Sequence, residues 1–304
     1  MAYDIRTLLE LKNHYNRIEK SIMTTYIFPG QGSQIRGMGD DLFPLFPEHI
    51  QKANEILGYS IEKLCLDDQS DDLNRTEFTQ PALYVVNSLA YLKKMRETDV
   101  TPKFVAGHSL GEYSALFAAN VFNFETGLKL VKKRGELMSQ ASGGAMAAVI
   151  GLDGDAIQTV ITQNQLSTIS VANYNSHTQI VVTGFKEDIK NAKPLFEAAG
   201  AKRYVPLNVS GAFHSPYMQT AQNTFTDYLQ QFTFLTPNIT VIANVNAKPY
   251  PENHVSALLA QQITHPVKWT QSIEYLLAQG ETTFEEIGPG KVLTGLIRRI
   301  QQGQ

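Results

Sequence analysis

The stretch Lys103-Phe104-Val105-Ala106-Gly107-His108-Ser109-Leu110-Gly111-Glu112 restricts this chain more than any other segment. Phe104 to Ala106 is an apolar run suited to a buried strand, and the residues from Leu110 onward read as a helix. Glycines two residues either side of Ser109 leave room for strand and helix to pack closely across a sharp turn. A serine at such a turn is held in a strained backbone conformation and pushed out at the edge of the sheet. The helix start behind it offers free backbone N–H groups and the positive end of a helix dipole. Negative charge developing on an attacked carbonyl is stabilised there, with the Leu110 N–H as the natural donor. The competing reading is a plain Gly-Ser turn with Ser109 as the N-cap of the helix.

The rest of the chain predicts a layered α/β body around that turn. Between residues 23 and 140 short strands alternate with helices: a strand at Tyr26 to Phe28, a loop at Gly30 to Gln34, and helices over Pro81 to Met95, Leu110 to Ala119 and Glu125 to Met138. Such alternation argues for a mainly parallel sheet. From about residue 145 the order becomes strand (Ala147 to Ile150), helix (Asp155 to Asn164), strand (Thr168 to Ala172), strand (Gln179 to Thr183), helix (Glu187 to Ala199), strand (Lys202 to Leu207). That order is the split βαβ pattern of a ferredoxin-like module. A helix at Gln219 to Gln231, a strand at Thr240 to Asn244, a helix at Val267 to Gln279 and a strand at Phe284 to Ile287 return to the first pattern. The expected division is therefore an extension over 1–22, a large α/β part over 23–144 and 213–304, and a small part over 145–212. Within the extension, Leu8, Leu9, Leu11, Tyr15 and Ile18 recur at roughly helical spacing, as in an amphipathic helix.

Composition narrows the function. A formal net charge of −3 gives no electrostatic footprint for nucleic acid, and a single cysteine, Cys65, makes neither an internal disulfide nor a cysteine-rich metal site. No uninterrupted apolar run approaches the roughly 20 residues that span a bilayer, and the N-terminus lacks a secretory apolar stretch. A soluble, cytoplasmic monomer is expected.

A serine hydroxyl needs a base to take its proton. Of the seven histidines, His214 stands out in the small-residue loop Val209-Ser210-Gly211-Ala212-Phe213-His214-Ser215-Pro216, where the chain returns from the second module to the first. An exposed or structurally bonded loop histidine is the alternative. His108, beside Ser109, points away from it and reads as scaffold. No acidic third member is evident, and an imidazole oriented by a neutral acceptor suffices.

Three segments together carry a family resemblance: Phe28-Pro29-Gly30-Gln31-Gly32-Ser33-Gln34, Gly107-His108-Ser109-Leu110-Gly111-Glu112 and Ala212-Phe213-His214-Ser215. With Thr79-Gln80-Pro81-Ala82, Lys133-Arg134-Gly135, Pro266-Val267-Lys268-Trp269 and Glu286 to Leu293, they resemble, in order over about residues 23–300, the malonyl-CoA:acyl carrier protein transacylases. The resemblance implies a hydrolase-like α/β subdomain with an inserted ferredoxin-like subdomain. It makes Ser109 the acylated nucleophile, His214 the general base and acid, and Gln31 with the Leu110 N–H the oxyanion hole. Gln80 lines the pocket, and Gln262 is the residue whose backbone carbonyl orients the histidine. Arg134 holds the malonate carboxylate, a pairing suited to a planar guanidinium. Without the resemblance, Lys132-Lys133-Arg134 on a helix reads as a solvated face.

Phe213 resembles the malonyl-selecting form of its motif, its bulk excluding a methyl on C2. Gly211 stands where the family often has His, and His265 where Asn is common. The implied partners are malonyl-CoA and a phosphopantetheinylated acyl carrier protein, with no metal or redox cofactor. The context is fatty-acid synthesis or a free-standing acyltransferase serving polyketide synthases, and the Tyr59 to Leu66 and Phe78 to Asn87 stretches are more similar to the latter. Two other functions share the fold: an acyl hydrolase clearing stalled carrier proteins, and a non-catalytic interaction module. Arg134 discriminates against the first, because an editing hydrolase has no malonate carboxylate to hold. Intact Ser109, His214, Gln31 and Arg134 argue against the second.

Overall fold

The computed structural model describes residues 24–98 and 101–303, so the amphipathic segment expected within 1–22 lies outside the described residues. Four strands, β1 (Thr24–Phe28), β2 (Phe104–Gly107), β7 (Thr240–Ile242) and β8 (Thr283–Glu286), form a parallel sheet in the order β7-β2-β1-β8. Parallel strands covered on both faces become near-continuous apolar runs, which is why Tyr26-Ile27-Phe28 and Phe104-Val105-Ala106 carry no polar alternation. Tyr26, Phe28 and Val105 face the core built with the helices Thr76–Glu97 and Gly111–Ala118. Their neighbours Ile27, Phe104 and Ala106 face the helices Trp269–Ala278 and Val292–Gln301 through Trp269, Ile273 and Ile297.

A second sheet, β4-β5-β3-β6, is wholly antiparallel and uses β3 (Gly144–Ile150), β4 (Ser170–Ser176), β5 (Gln179–Phe185) and β6 (Arg203–Pro206). The helices Gly154–Gln163 and Lys186–Ala198 cover one face, burying Ile157, Ile189 and Phe196 against Val149 and Val182. Met146, Ala148 and Val181, on the other face, join the core of the large layer. The antiparallel sheet is tied to the large layer where Asn173 of β4 bridges Val267, just before the Trp269–Ala278 helix: the Tyr174 N–H donates to the Val267 carbonyl at 2.9 Å, and the Val267 N–H to Ala172 at 2.8 Å. The fold is thus α/β, a parallel sheet with a separate antiparallel subdomain.

Several elements differ from the sequence reading. The helix expected from Pro81 begins at Thr76, with Pro81 inside it. Proline has no N–H for the helical ladder, so at the sixth helical position the Glu77 carbonyl goes without its usual donor four residues on. The preceding turn is secured by Thr79 Oγ1, which donates to Leu73 and Arg75 carbonyls at 2.6 and 2.9 Å. Strand β4 runs on to Ser176, past the expected end at Ala172, because bulges there break the apolar alternation. The helices Pro47–Leu57, Ile61–Leu66, Val255–Gln262 and Val292–Gln301 were not anticipated. The first of these has both punctuation marks in its sequence, Pro47 at the start and Gly58 in a left-handed conformation at its end. Among the described residues no helix is long and apolar enough to cross a membrane.

Candidate active site

Ser109 leaves β2 with φ +50°, in the left-handed region that a non-glycine residue enters only when its surroundings force it. The flanking glycines are required by space. A Cβ on Gly107 would lie 2.0 Å from the Gly111 backbone, and one on Gly111 would lie 2.0 Å from the Phe28 carbonyl. Asn244, at the end of β7, holds the turn from the next strand. Its Oδ1 accepts from the Ser109 N–H at 2.7 Å and its Nδ2 donates to the Gly107 carbonyl at 2.7 Å. The helix behind begins at Gly111 with Leu110 as N-cap and no side-chain cap. Ser109 is therefore not the N-cap, the competing reading of the turn: its hydroxyl points elsewhere, to His214 Nε2 at 2.8 Å.

His214 is buried and also has positive φ, +57°, in a loop pinned where Ser215 Oγ donates to the Ala212 carbonyl at 2.5 Å. Its Nδ1 lies 2.8 Å from the Gln262 carbonyl oxygen. A carbonyl only accepts, so Nδ1 carries the proton and Nε2 is left free to accept from Ser109. Burial, and then the Arg134 cation, hold the imidazole down to about 3, so it is the free base at neutral pH. His108 instead pairs with Asn175 Oδ1 at 2.8 Å, beside the Trp269 ring.

Arg134 does not lie on a solvated face. It is 1% exposed on the inner side of the Phe124–Ser139 helix, one helical step from the buried Leu130 and Met138. That spacing was the available sequence signal: Arg134 falls on the apolar stripe, whereas Lys132 reaches outward to the Ile56 carbonyl. The guanidinium donates to Gln80 Oε1 at 2.7 Å, Gln262 Oε1 at 2.9 Å and Ser109 Oγ at 3.1 Å. All three acceptors are neutral.

Ser109, His214 and Arg134 share a cavity of about 90 Å³ with Gln31, Leu110, Gln80 and Phe213. Met146, Asn173, Leu207 and Val209 supply its wall from the antiparallel sheet and the strand's exit. Gln31 donates through Nε2 to Thr76 Oγ1 at 3.3 Å. Gln262, fully buried, stands behind the cavity.

Sequence reasoning missed Asn244 and the role of Glu112, although Glu112 closes the very motif that located the turn. Its carboxylate is fully buried beneath the turn, accepting from the Tyr250 hydroxyl at 2.5 Å, the Asn244 N–H at 3.2 Å and Gln262 Nε2. Burial pushes it up to about 7, against those hydrogen bonds. The whole arrangement can take a proton from Ser109, hold the imidazole through a neutral acceptor, and pair an anionic group beside the nucleophile.

The model of the acyl transferase domain family matches residues 25–302. A polyketide biosynthesis malonyl CoA-acyl carrier protein transacylase of Bacillus subtilis, PksC, is 56% identical over 281 residues, 92% of this chain and 98% of that protein. The crystal structure of the malonyl CoA-acyl carrier protein transacylase of Burkholderia pseudomallei superposes with TM-score 0.90 at 49% identity, covering 93% of this chain and 99% of that one. A malonyl-transacylase solved in complex with its type II polyketide acyl carrier protein superposes with TM-score 0.88 at 37% identity, over 92% of this chain and 93% of that one. A match across nearly the full described chain, and relatives this similar over their whole length, place it: the chain belongs to the acyl transferase domain family, among the malonyl CoA-acyl carrier protein transacylases.

Proposed function

We propose that this enzyme moves a malonyl group from malonyl-CoA to the phosphopantetheine thiol of an acyl carrier protein, through an ester on Ser109, in the cytoplasm and in the service of polyketide synthesis. The observation that carries the reading is Arg134, a buried cation with only neutral acceptors, 3.1 Å from the Ser109 hydroxyl. A buried charge is costly unless something anionic completes it, and the malonyl carboxylate does so while its thioester carbonyl lies over Ser109. The similarity to a transacylase named for polyketide biosynthesis supports the pathway.

In the first half-reaction Ser109 Oγ attacks the thioester carbonyl as its proton passes to His214 Nε2. Leu110 N–H, with Gln31 opposite, stabilises the oxyanion. The C–S bond breaks, and coenzyme A leaves as a thiol with the proton from His214. In the second half-reaction the carrier thiol gives its proton to His214 and its sulfur attacks the ester carbonyl. The C–O bond to Ser109 breaks and Oγ recovers the proton. Phe213 crowds the acyl C2, and Gln80 keeps Arg134 aimed into the pocket.

Intact-protein mass measurement after incubation with malonyl-CoA tests this. One malonyl group is expected on the wild type and none on Ser109→Ala. An unmodified wild type, or an adduct that survives the substitution, contradicts the mechanism.

A further inference from the structure

The side chain of Gln262 stands between two groups of opposite chemistry. Arg134 has only donors, and the carboxylate of Glu112 has only acceptors. The amide therefore has one orientation that satisfies both: its oxygen accepts from Arg134 Nη2 at 2.9 Å, and its nitrogen donates to Glu112 Oε2. The second hydrogen of that nitrogen goes to the Ser109 carbonyl at 2.9 Å. Turned over, the amide would set oxygen against a carboxylate and a carbonyl, and donors against a guanidinium. Glu112 is itself fixed, its other oxygen taking the Tyr250 hydroxyl and the Asn244 N–H. It hydrogen-bonds neither to Arg134 nor into the cavity, yet among the described residues it is the carboxylate whose charge acts on that cation.

We propose that Glu112 is a positioning residue for acyl-group selection: its carboxylate locks the Gln262 amide so that the oxygen faces Arg134, which aims the guanidinium at the space beside Ser109 where a carboxylated acyl group sits. The buried counter-charge and the substrate-pairing cation are thereby joined through one neutral amide. This rests on the transfer reaction proposed above, with malonyl as the cargo.

A double-mutant cycle tests whether Glu112 acts through Gln262. The variants are Glu112→Gln, which keeps the shape and removes the charge, Gln262→Met, which removes the amide and leaves the main-chain carbonyl on His214, and the pair together. The readout is the ratio of kcat/KM for malonyl-CoA over acetyl-CoA, with active protein counted by acylation of Ser109. Each single variant is expected to lower the ratio about tenfold, mainly through the malonyl KM, and the double variant to lower it no further. A fall near a hundredfold in the double variant, or an unchanged ratio in Glu112→Gln, overturns the proposal. A merely structural role would reduce the amount of active protein without moving the ratio. If Glu112→Gln does not accumulate as folded protein, Gln262→Met alone must lower the ratio, and an unchanged ratio there overturns the proposal. A wild type that never acquires a malonyl group marks failure of the transfer reading instead.

Discussion

Arg134 Nη2 lies 3.1 Å from Ser109 Oγ, so the cation and the nucleophile share one hydrogen bond before any substrate arrives. Under the proposed mechanism an incoming malonyl carboxylate competes for the guanidinium and releases the hydroxyl for attack. Arg134→Ala should lower kcat/KM for malonyl-CoA by about 3 kcal/mol, roughly a hundredfold, as expected for a lost charge-assisted pair. Acetyl-CoA has no carboxylate, so acetyl transfer should fall far less and the preference disappear. Competition between the two donors, read by mass, checks it; an intact malonyl preference removes Arg134 from the site.

Asn244 holds the strained turn by two bonds, to the Ser109 N–H and the Gly107 carbonyl. Asn244→Ala leaves both buried groups unpaired, which costs on the order of 2–4 kcal/mol. The urea midpoint should fall accordingly, and acylation of Ser109 should slow because the left-handed conformation is no longer enforced. An unchanged acylation rate would show that the strand and helix alone fix the serine.

His214 sits low for three reasons, burial first, Arg134 second and the neighbouring His108 after them. A base with a depressed value stays uncharged as pH falls through the ordinary histidine range. Acylation by acetyl-CoA should therefore stay level from about pH 8 down to about pH 5, with no inflection near 6.5. In Arg134→Ala the second of these causes is gone, and the acid limb should move upward. Stopped-flow acylation across pH reads both, and a wild-type inflection near 6.5 contradicts the assignment.

Glu112 is raised from 4.5 to about 7 in the folded protein. Between those values the unfolded chain has lost the proton and the folded chain has kept it. Stability therefore declines as pH rises through that window, by up to about 3 kcal/mol for this group. Glu112→Gln lacks the term, so its stability relative to the wild type should improve from pH 5 to pH 8 in urea unfolding. A difference that stays constant with pH would show that the carboxyl ionises at its ordinary value.

What could be read in the sequence was local. The Ser109 turn announces itself because Gly107, Gly111, a strand and a helix all fall within ten residues, and the strands of both sheets follow from their apolar runs, whereas the helices Pro47–Leu57, Ile61–Leu66, Val255–Gln262 and Val292–Gln301 do not. The Ser109–His214 contact spans 105 positions and the His214–Gln262 contact 48, so the family pattern paired them, not the pattern of apolar residues. Beside its lysine neighbours Arg134 reads as a solvated residue, and the resemblance alone put it in the pocket, although its place on the apolar stripe of its helix already marks it for burial. Asn244 and Glu112 could not be assigned, since a polar residue beneath a turn looks like any other until the neighbouring strand is laid beside it.

The inserted sheet begins and ends at one point: a Cβ on Gly144 would strike the Ala212 amide nitrogen at 2.1 Å. The chain thus departs from the large layer and rejoins it through a single gap, only two residues short of His214. The segment between those ends furnishes Met146 and Asn173 to the cavity that holds the serine and the histidine. One small cavity is thus walled from two parts of the polypeptide, by Ser109, His214 and Arg134 of the large layer and by side chains of the insertion, and it exists only where the two meet.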